Sequence, residues 1–295
     1  MIKKWIEQNT ESLKGKCVAV TGATGGLGAE LCKYLCFLGA DLVLLDRNRE
    51  KSLDLKETLL QNSSVNIENI TVDLEDIESV KSACNELETR KIDFFIHNAG
   101  AYSIPRKKCS TGFDNVFQIN FVSPYYIINR LLPQFENNNS RVIVVGSIAH
   151  NYCKTRRNDV DFSMCDSAAL VYGNAKRYLM FSLYELLSTN QSVTFSVVHP
   201  GITLTGITAH YPKWLFAIIK RPMKIIFMSP KRAALSLLKG FFVKCGYKEW
   251  IGPKIFDIWG APKKRQLKTC SDSEIIYIHK TATEIYNQIK SDIKI

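Results

Sequence analysis

A chain of 295 residues, 46% hydrophobic and 23% charged, has the composition of a globular protein and the length for one α/β domain with a large core. Its formal charge of +11 is unevenly placed: residues 1–209 carry 22 Lys/Arg and 22 Asp/Glu, whereas residues 210–295 carry 17 and 6. No uncharged apolar run reaches the roughly eighteen residues of a membrane span, no secretory h-region follows Met1, and the nine scattered cysteines form no CxxC pair, so the expectation is a cytoplasmic protein with free thiols and no metal site.

The elements follow in chain order. Cys17-Val18-Ala19-Val20 is a short apolar run that ends at a glycine turn and reads as a buried parallel strand. A helix is expected from Ala29 to Leu38, closed by Gly39. Further strands are expected at Leu42–Leu45, stopping at Asp46, and at Asn69–Val72, stopping at Asp73. Three more are expected at Phe94–Ile96, stopping at His97-Asn98-Ala99-Gly100, at Val142–Val145 and at Thr194–Val198. Helical stretches fill the gaps, which predicts an α/β fold with a doubly wound parallel sheet of Rossmann type. The whole of 1–295 reads as one domain: a strand-and-helix core over 13–209, a segment over 210–240 that alternates apolar blocks with cations, and a basic C-terminal extension over 241–295. In such a sheet, ligands bind beyond the carboxyl ends of the strands.

Two segments at strand ends carry chemistry. Thr21-Gly22-Ala23-Thr24-Gly25-Gly26-Leu27-Gly28 joins the first strand to a helix. Gly22, Gly26 and Gly28 allow a tight turn, a close approach of a pyrophosphate to backbone N–H groups, and helix packing. Asp46 lies 24 positions after Gly22, where a carboxylate accepts from ribose hydroxyls and repels a 2′-phosphate. Arg47 beside it pulls the other way, and the balance slightly favours NAD over NADP. The second segment places Tyr172 and Lys176 four residues apart, on one helix face. A tyrosine ordinarily titrates near pH 10; a neighbouring ammonium stabilises its phenolate, so that Tyr172 can serve as general acid in reduction and general base in oxidation. Ser147, at the end of the fifth strand, can hydrogen-bond a substrate oxygen.

These segments, in this order, resemble the short-chain dehydrogenase/reductase family from about Lys14 to Thr208. The resemblance implies hydride transfer between NAD(P)(H) and an alcohol or carbonyl. It implies that Asn120 holds a water in a proton relay, that Lys176 also binds the nicotinamide ribose, and that Asp73 meets the adenine amino group. Asn98, Ala99 and Gly100 would form the cofactor wall, with His97 a departure from the family's Asn-Asn-Ala-Gly. Pro200-Gly201-Ile202-Thr203-Leu204-Thr205 resembles the segment that leads to the nicotinamide carboxamide, with Pro200, Gly201, Thr203 and Thr205 as cofactor contacts. The 25 residues from Ser147 to Tyr172, opening on Ser147-Ile148-Ala149-His150, resemble the retinol dehydrogenase-like branch, whose members often take bulky apolar substrates and often prefer NADPH.

After Thr208 the signal thins. The stretch 211–228 alternates apolar blocks with Lys213, Lys220, Arg221 and Lys224. A lid in which Trp214, Leu215, Phe216, Ile218 and Met223 line an apolar pocket is favoured over a membrane-surface segment. The partner is thus a small alcohol or carbonyl. No nucleic acid is expected, because Pro262-Lys263-Lys264-Arg265 has no aromatic platform beside it; peripheral membrane contact and homo-oligomerisation stay open. Two rival readings are an extended-type nucleotide-sugar epimerase or dehydratase, and an inactive cofactor-binding regulator. Asn98-Ala99-Gly100 argues against the first, and the intact Asn120, Ser147, Tyr172 and Lys176 argue against the second.

Overall fold

A computed structural model of the chain describes residues 2–188, 190–203 and 228–291. Its strands are β1 Cys17–Thr21, β2 Asp41–Asp46, β3 Ile67–Thr71, β4 Phe94–His97, β5 Arg141–Val145, β6 Thr194–Val198, β7 Glu249–Ile255 and β8 Trp259–Gln266. They form one sheet in the order β3-β2-β1-β4-β5-β6-β7-β8. The first seven run parallel, and β8 pairs antiparallel with β7. The order reverses between β1 and β4, where the carboxyl ends diverge and leave a crevice.

The helices are α1 Ile2–Asn9, α2 Gly26–Phe37, α3 Arg49–Leu60, α4 Ile77–Glu88, α5 Asn115–Phe117, α6 Ser123–Arg130, α7 Leu132–Asn137, α8 Ala168–Ser188, α9 Pro230–Phe242 and α10 Asp272–Lys290. They cover both faces of the sheet. Side chains alternate along β1, so Val18 and Val20 pack with Leu31 and Leu35 of α2 and Leu237 and Phe241 of α9. Ala19 packs on the other side, with Val80 of α4, Ile127 of α6, Phe181 of α8 and Ile278 of α10. Burial on both faces is why these strands read as continuous apolar runs.

The end of the chain holds more structure than its composition suggests. Residues 249–266 make two strands, and β8 buries one residue of its eight, Pro262. Its Lys263, Lys264 and Arg265 sit on a sheet edge, where charge discourages pairing with another chain, so no apolar period marks it. Helix α10 buries Ile275, Ile278, Ala282, Ile285 and Ile289, a helical stripe that packs on α8. The basic extension is therefore part of the sheet and of one covering layer. Residues 230–240, at the end of the expected lid, belong to α9 and are packed into the core; residues 204–227, with all five apolar lid side chains and the four cations named above, lie outside the described residues.

Among the described residues three histidines are buried: His97 at the end of β4, His150 and His199. His199 stacks on Trp250 of β7, with ring centroids 4.9 Å apart and planes 7° from parallel. Burial pushes His150 and His199 down to about 4 and His97 well below its ordinary value. Because these folded-state values lie below that of the unfolded chain, the stability they confer is fully present above about pH 6.5 and is lost as pH falls toward 4. Urea unfolding should therefore weaken across that window by about 1.4 kcal/mol per pH unit for each histidine involved. A midpoint unchanged between about pH 7 and pH 5 would show the rings are protonated in the native state.

Candidate active site

The carboxyl end of β1 is locked to the end of β4. Asn98 Nδ2 donates to Thr21 O at 3.2 Å and Gly22 O at 2.9 Å. Thr21 Oγ1 accepts from the amides of Asn98 and Ala99, each at 3.1 Å, so its own proton is left for His97 Nδ1 at 3.1 Å. This is how a histidine fits where the family places asparagine. Gly22 has a φ of +66°, and a Cβ there would come within 2.8 Å of Ala99 Cα, so only glycine lets the turn pass so close. A Cβ at Gly28 would collide with Gly22 O, whereas one at Gly26 would meet nothing within 4 Å. Gly28 thus seats the helix on the turn, and Gly26 leaves bare backbone beside open space at the start of α2.

That space is a cavity of about 710 Å³ running along the strand ends. Gly22, Gly26, Leu27 and Gly28 line it from the turn, Asp46 and Arg47 from the end of β2, and Asp73 from the end of β3. Asn98, Ala99 and Gly100 line it beyond β4, Ser147 beyond β5, Tyr172 and Lys176 from α8, and Pro200, Gly201 and Thr203 beyond β6. Thr21 and Asn120 are buried just behind this lining. Thr205 lies outside the described residues.

The acidic residues differ in exposure. Asp46 is 3% exposed: its Oδ1 accepts from Thr24 N and Oγ1, both at 2.9 Å, and its Oδ2 accepts from Ser52 Oγ at 3.0 Å. A carboxylate has about four acceptor sites, so capacity remains on Oδ2. Arg47 reaches Glu75 at 4.0 Å, and Glu75 also holds Lys107 at 2.5 Å. Asp73 accepts from Glu75 N at 3.0 Å, and the cap of α4 is Asp76, which accepts from Glu78 N.

Asn120 sits in a π-helical turn, Gln118–Val122, between α5 and α6. Such turns often mark functional positions because they displace one side chain from the helical ladder. Its Nδ2 donates to Ala101 O and Val116 O, both at 2.8 Å. Its Oδ1 is buried and has no partner among the described residues. A Cβ at Gly100 would lie 2.9 Å from that oxygen and 3.5 Å from Lys176 Nζ, so the bare glycine keeps a gap between the two groups. An unsatisfied buried acceptor facing an ammonium suits a bridging water or a ligand hydroxyl.

Lys176 is 1% exposed, and its Nζ donates to Val145 O at 3.0 Å. The same nitrogen lies 5.7 Å from the centre of the Tyr172 ring. Burial pushes Lys176 down to about 7 and Tyr172 up to about 12; a hydrogen bond with Ser147 works against the latter shift. Desolvation is thus the main influence on Tyr172, and Ser147 rather than Lys176 is what works against it. The cavity offers a place for the anionic and hydroxylic groups that would keep Lys176 charged: bare backbone at Gly26, an orphaned acceptor at Asn120 and a buried cation with spare donors.

Sequence reasoning did not single out Tyr102, whose ring meets Tyr172 edge to face at 5.4 Å, nor Tyr152, Ala169 and Ile202, all of which line the cavity. Only the fold brings them to the strand ends. Lys51 and Asn48 line the rim at β2; a cation and an amide just after a strand-end aspartate were the available signal. Gly201, with φ of +81°, packs against the β7–β8 connection, where a Cβ would meet Ile258 O at 2.7 Å.

The glycine turn, Ser147, Tyr172, Lys176 and the Pro200-Gly201 turn line one cavity, an arrangement that suits an NAD(P)-dependent oxidoreductase of alcohol and carbonyl groups. Residues 16–158 match the family model for short chain dehydrogenase. Human polyprenol dehydrogenase is 27% identical over 231 residues, 73% of this chain and 69% of that protein. Mouse retinol dehydrogenase 12 is 28% identical over 272 residues, 87% of this chain and 83% of that protein. Among solved structures, an uncharacterised protein from Mycobacterium paratuberculosis superposes with a TM-score of 0.71 at 20% identity, over 96% of each chain. A Sphingobium yanoikuyae short-chain dehydrogenase in complex with NADPH gives 0.60 at 22% identity, over 77% of this chain and 84% of that one. Over residues 16–158 the chain is thus similar to the short-chain dehydrogenase/reductase family, and several of the relatives it resembles are named retinol dehydrogenases.

Because Lys176 sits near 7 in the free protein, adding an anionic, hydroxyl-rich ligand beside it should raise that value. Calorimetry of NADH binding at about pH 8, in buffers of different ionisation enthalpy, should show proton uptake. Proton release would show that the lysine does not gain charge on binding.

Proposed function

We propose that the protein interconverts an apolar alcohol and its carbonyl by hydride transfer, with NAD(H) preferred over NADP(H). The observation that carries the chemistry is that Ser147, Tyr172 and Lys176 line the same cavity as the glycine turn, with Lys176 Nζ 5.7 Å from the centre of the Tyr172 ring. The bound nicotinamide supplies or accepts the hydride. Ser147 Oγ holds the substrate oxygen, and the Tyr172 hydroxyl gives that oxygen a proton in reduction and removes it in oxidation. Lys176, charged once its surroundings are polar, lowers the cost of the phenolate and hydrogen-bonds the nicotinamide ribose. Asn120 Oδ1 would accept from a water beside Lys176, through which solvent returns the proton lost by Tyr172. Thr203 and the Pro200-Gly201 turn hold the carboxamide end, and Asp73 the adenine end.

An apolar substrate is supported by the walls around Tyr172, namely Tyr102, Ile148, Ala149, Tyr152, Ala169 and Ile202. The relatives named for polyprenol and retinol act on alcohols with hydrocarbon bodies. The NAD preference rests on Asp46: its carboxylate is held in place by Thr24 and Ser52 at the cavity edge, and a fixed anion repels a 2′-phosphate. Glu75 draws on the charge of Arg47. No helix among the described residues is long and apolar enough to cross a membrane.

Tyr172→Phe should cut turnover at least about a hundredfold while NADH still binds; turnover within a few-fold of wild type would remove Tyr172 from the mechanism. In calorimetric titration NADH should bind more tightly than NADPH, and Asp46→Ala should narrow or reverse the gap. Tighter NADPH binding by the unaltered protein would show that Arg47 and Lys51 govern the choice.

A further inference from the structure

Ser147 begins a 3-10 turn, Ile148–Tyr152, that is held from behind by residues far away in the chain. His150 is fully buried, with Nδ1 2.5 Å from Ser147 O and Nε2 2.9 Å from Thr269 Oγ1. A carbonyl can only accept, so Nδ1 carries the proton, Nε2 is the acceptor, and the Thr269 hydroxyl is the donor. Arg177, next to Lys176 on α8, is 2% exposed and ties the same segments together. Its Nη1 donates to His150 O at 3.1 Å and its Nη2 to Thr269 O at 2.9 Å. Its Nε and Nη2 fork onto Glu274, at 2.8 Å to Oε1 and 2.7 Å to Oε2. Glu274, in the first turn of α10, also accepts from Thr155 Oγ1 at 2.5 Å and Thr155 N at 3.3 Å, just beyond the turn.

A buried guanidinium with a bidentate carboxylate and two carbonyls has its charge and most of its donors satisfied in one geometry. Such a group is costly to bury unless every partner is in place, so its partners are fixed relative to one another. Here the partners are the Ser147 turn, the junction of β8 with α10, and α8, which carries Tyr172 and Lys176. None of Thr269, Arg177 and Glu274 lines the cavity.

We propose that Glu274, through Arg177 and the Thr269–His150 pair, is a positioning residue for Ser147, so that the C-terminal extension sets the geometry of the catalytic serine. The inference rests on the reaction proposed above. The brace fixes both the Ser147 carbonyl and the turn after it, and thereby the direction of the Ser147 hydroxyl toward Tyr172. Breaking it should leave the glycine turn and the cofactor end untouched.

The test is a double-mutant cycle of Glu274→Gln and Ser147→Ala, read with decanal and NADH, with Tyr172→Phe as the reference for the reaction itself. Glu274→Gln alone should lower kcat at least about tenfold, the scale of a small misplacement, with the NADH dissociation constant within about twofold. In the Ser147→Ala background the same substitution should cost little more, because its effect passes through Ser147. Glu274→Asp should recover part of the loss, and Thr269→Val, which removes only the donor to His150, should show a smaller loss of the same kind. Hydrogen exchange should quicken over residues 148–155 and stay unchanged over 17–28. The proposal is overturned by a folded Glu274→Gln protein with wild-type kcat, by an equal further loss on top of Ser147→Ala, or by parallel loss of NADH binding. If Glu274→Gln does not fold, Thr269→Val decides between the same outcomes in the same cycle. Activity retained by Tyr172→Phe would instead defeat the reaction assigned above, a result separate from the fate of Glu274.

Discussion

The contact between the ends of β1 and β4 is the constraint on which the site depends. Gly22 passes so close to Ala99 that no side chain fits between them, and Asn98 and Thr21 seal the join with four hydrogen bonds. That approach brings the phosphate-binding turn and the wall beyond β4 to one crevice. Beyond it, β5 and β6 deliver Ser147 and the Pro200-Gly201 turn in register, and α8 lays Tyr172 and Lys176 across the opening. Relaxing the join would separate the nucleotide end from the reacting end, since each belongs to a different half of the sheet.

Within the site, burial sets the electrostatics more than neighbouring charge does. Lys176 is driven toward neutrality and Tyr172 toward a higher value by the same desolvation. Near neutrality Tyr172 therefore keeps its proton, as a general acid must, while Lys176 is only partly charged. A polar, anionic ligand beside Lys176 would change the medium as well as fill space, and would favour the charged form of the lysine. The unsatisfied Asn120 oxygen and the gap at Gly100 point to the same division of labour between protein and ligand.

The C-terminal third joins this arrangement from outside. Among its described residues, Lys263, Lys264 and Arg265 lie on β8, an exposed sheet edge, while the apolar stripe on α10 packs against α8. Arg177 converts that packing into contact with the serine turn. The catalytic helix therefore presents two consecutive cations in opposite senses: Lys176 toward the cavity, and Arg177 toward the layer behind it.

Most of the first 200 residues was legible in the order of residues. The continuous apolar runs of β1, β2, β5 and β6 follow from burial on both faces, and the glycine spacing from steric demands that only glycine meets. The Tyr172–Lys176 interval follows from the helical repeat. All of these are local rules, and each leaves a mark within a few positions. What the tertiary structure alone decided was long-range. Strands β7 and β8 carry no apolar period, because one contains Pro253 and the other lies on an edge, so β7 is defined by pairing with β6 and β8 by pairing with β7. Tyr102 and Tyr152 reach the cavity by loop geometry that no repeat encodes. The Asp46 hydrogen bonds, the shift of Lys176 to about 7 and the link from Glu274 to Ser147 all depend on which groups are brought together and dried. Desolvation and charge pairing are properties of three-dimensional neighbours, and the linear order of residues does not carry them.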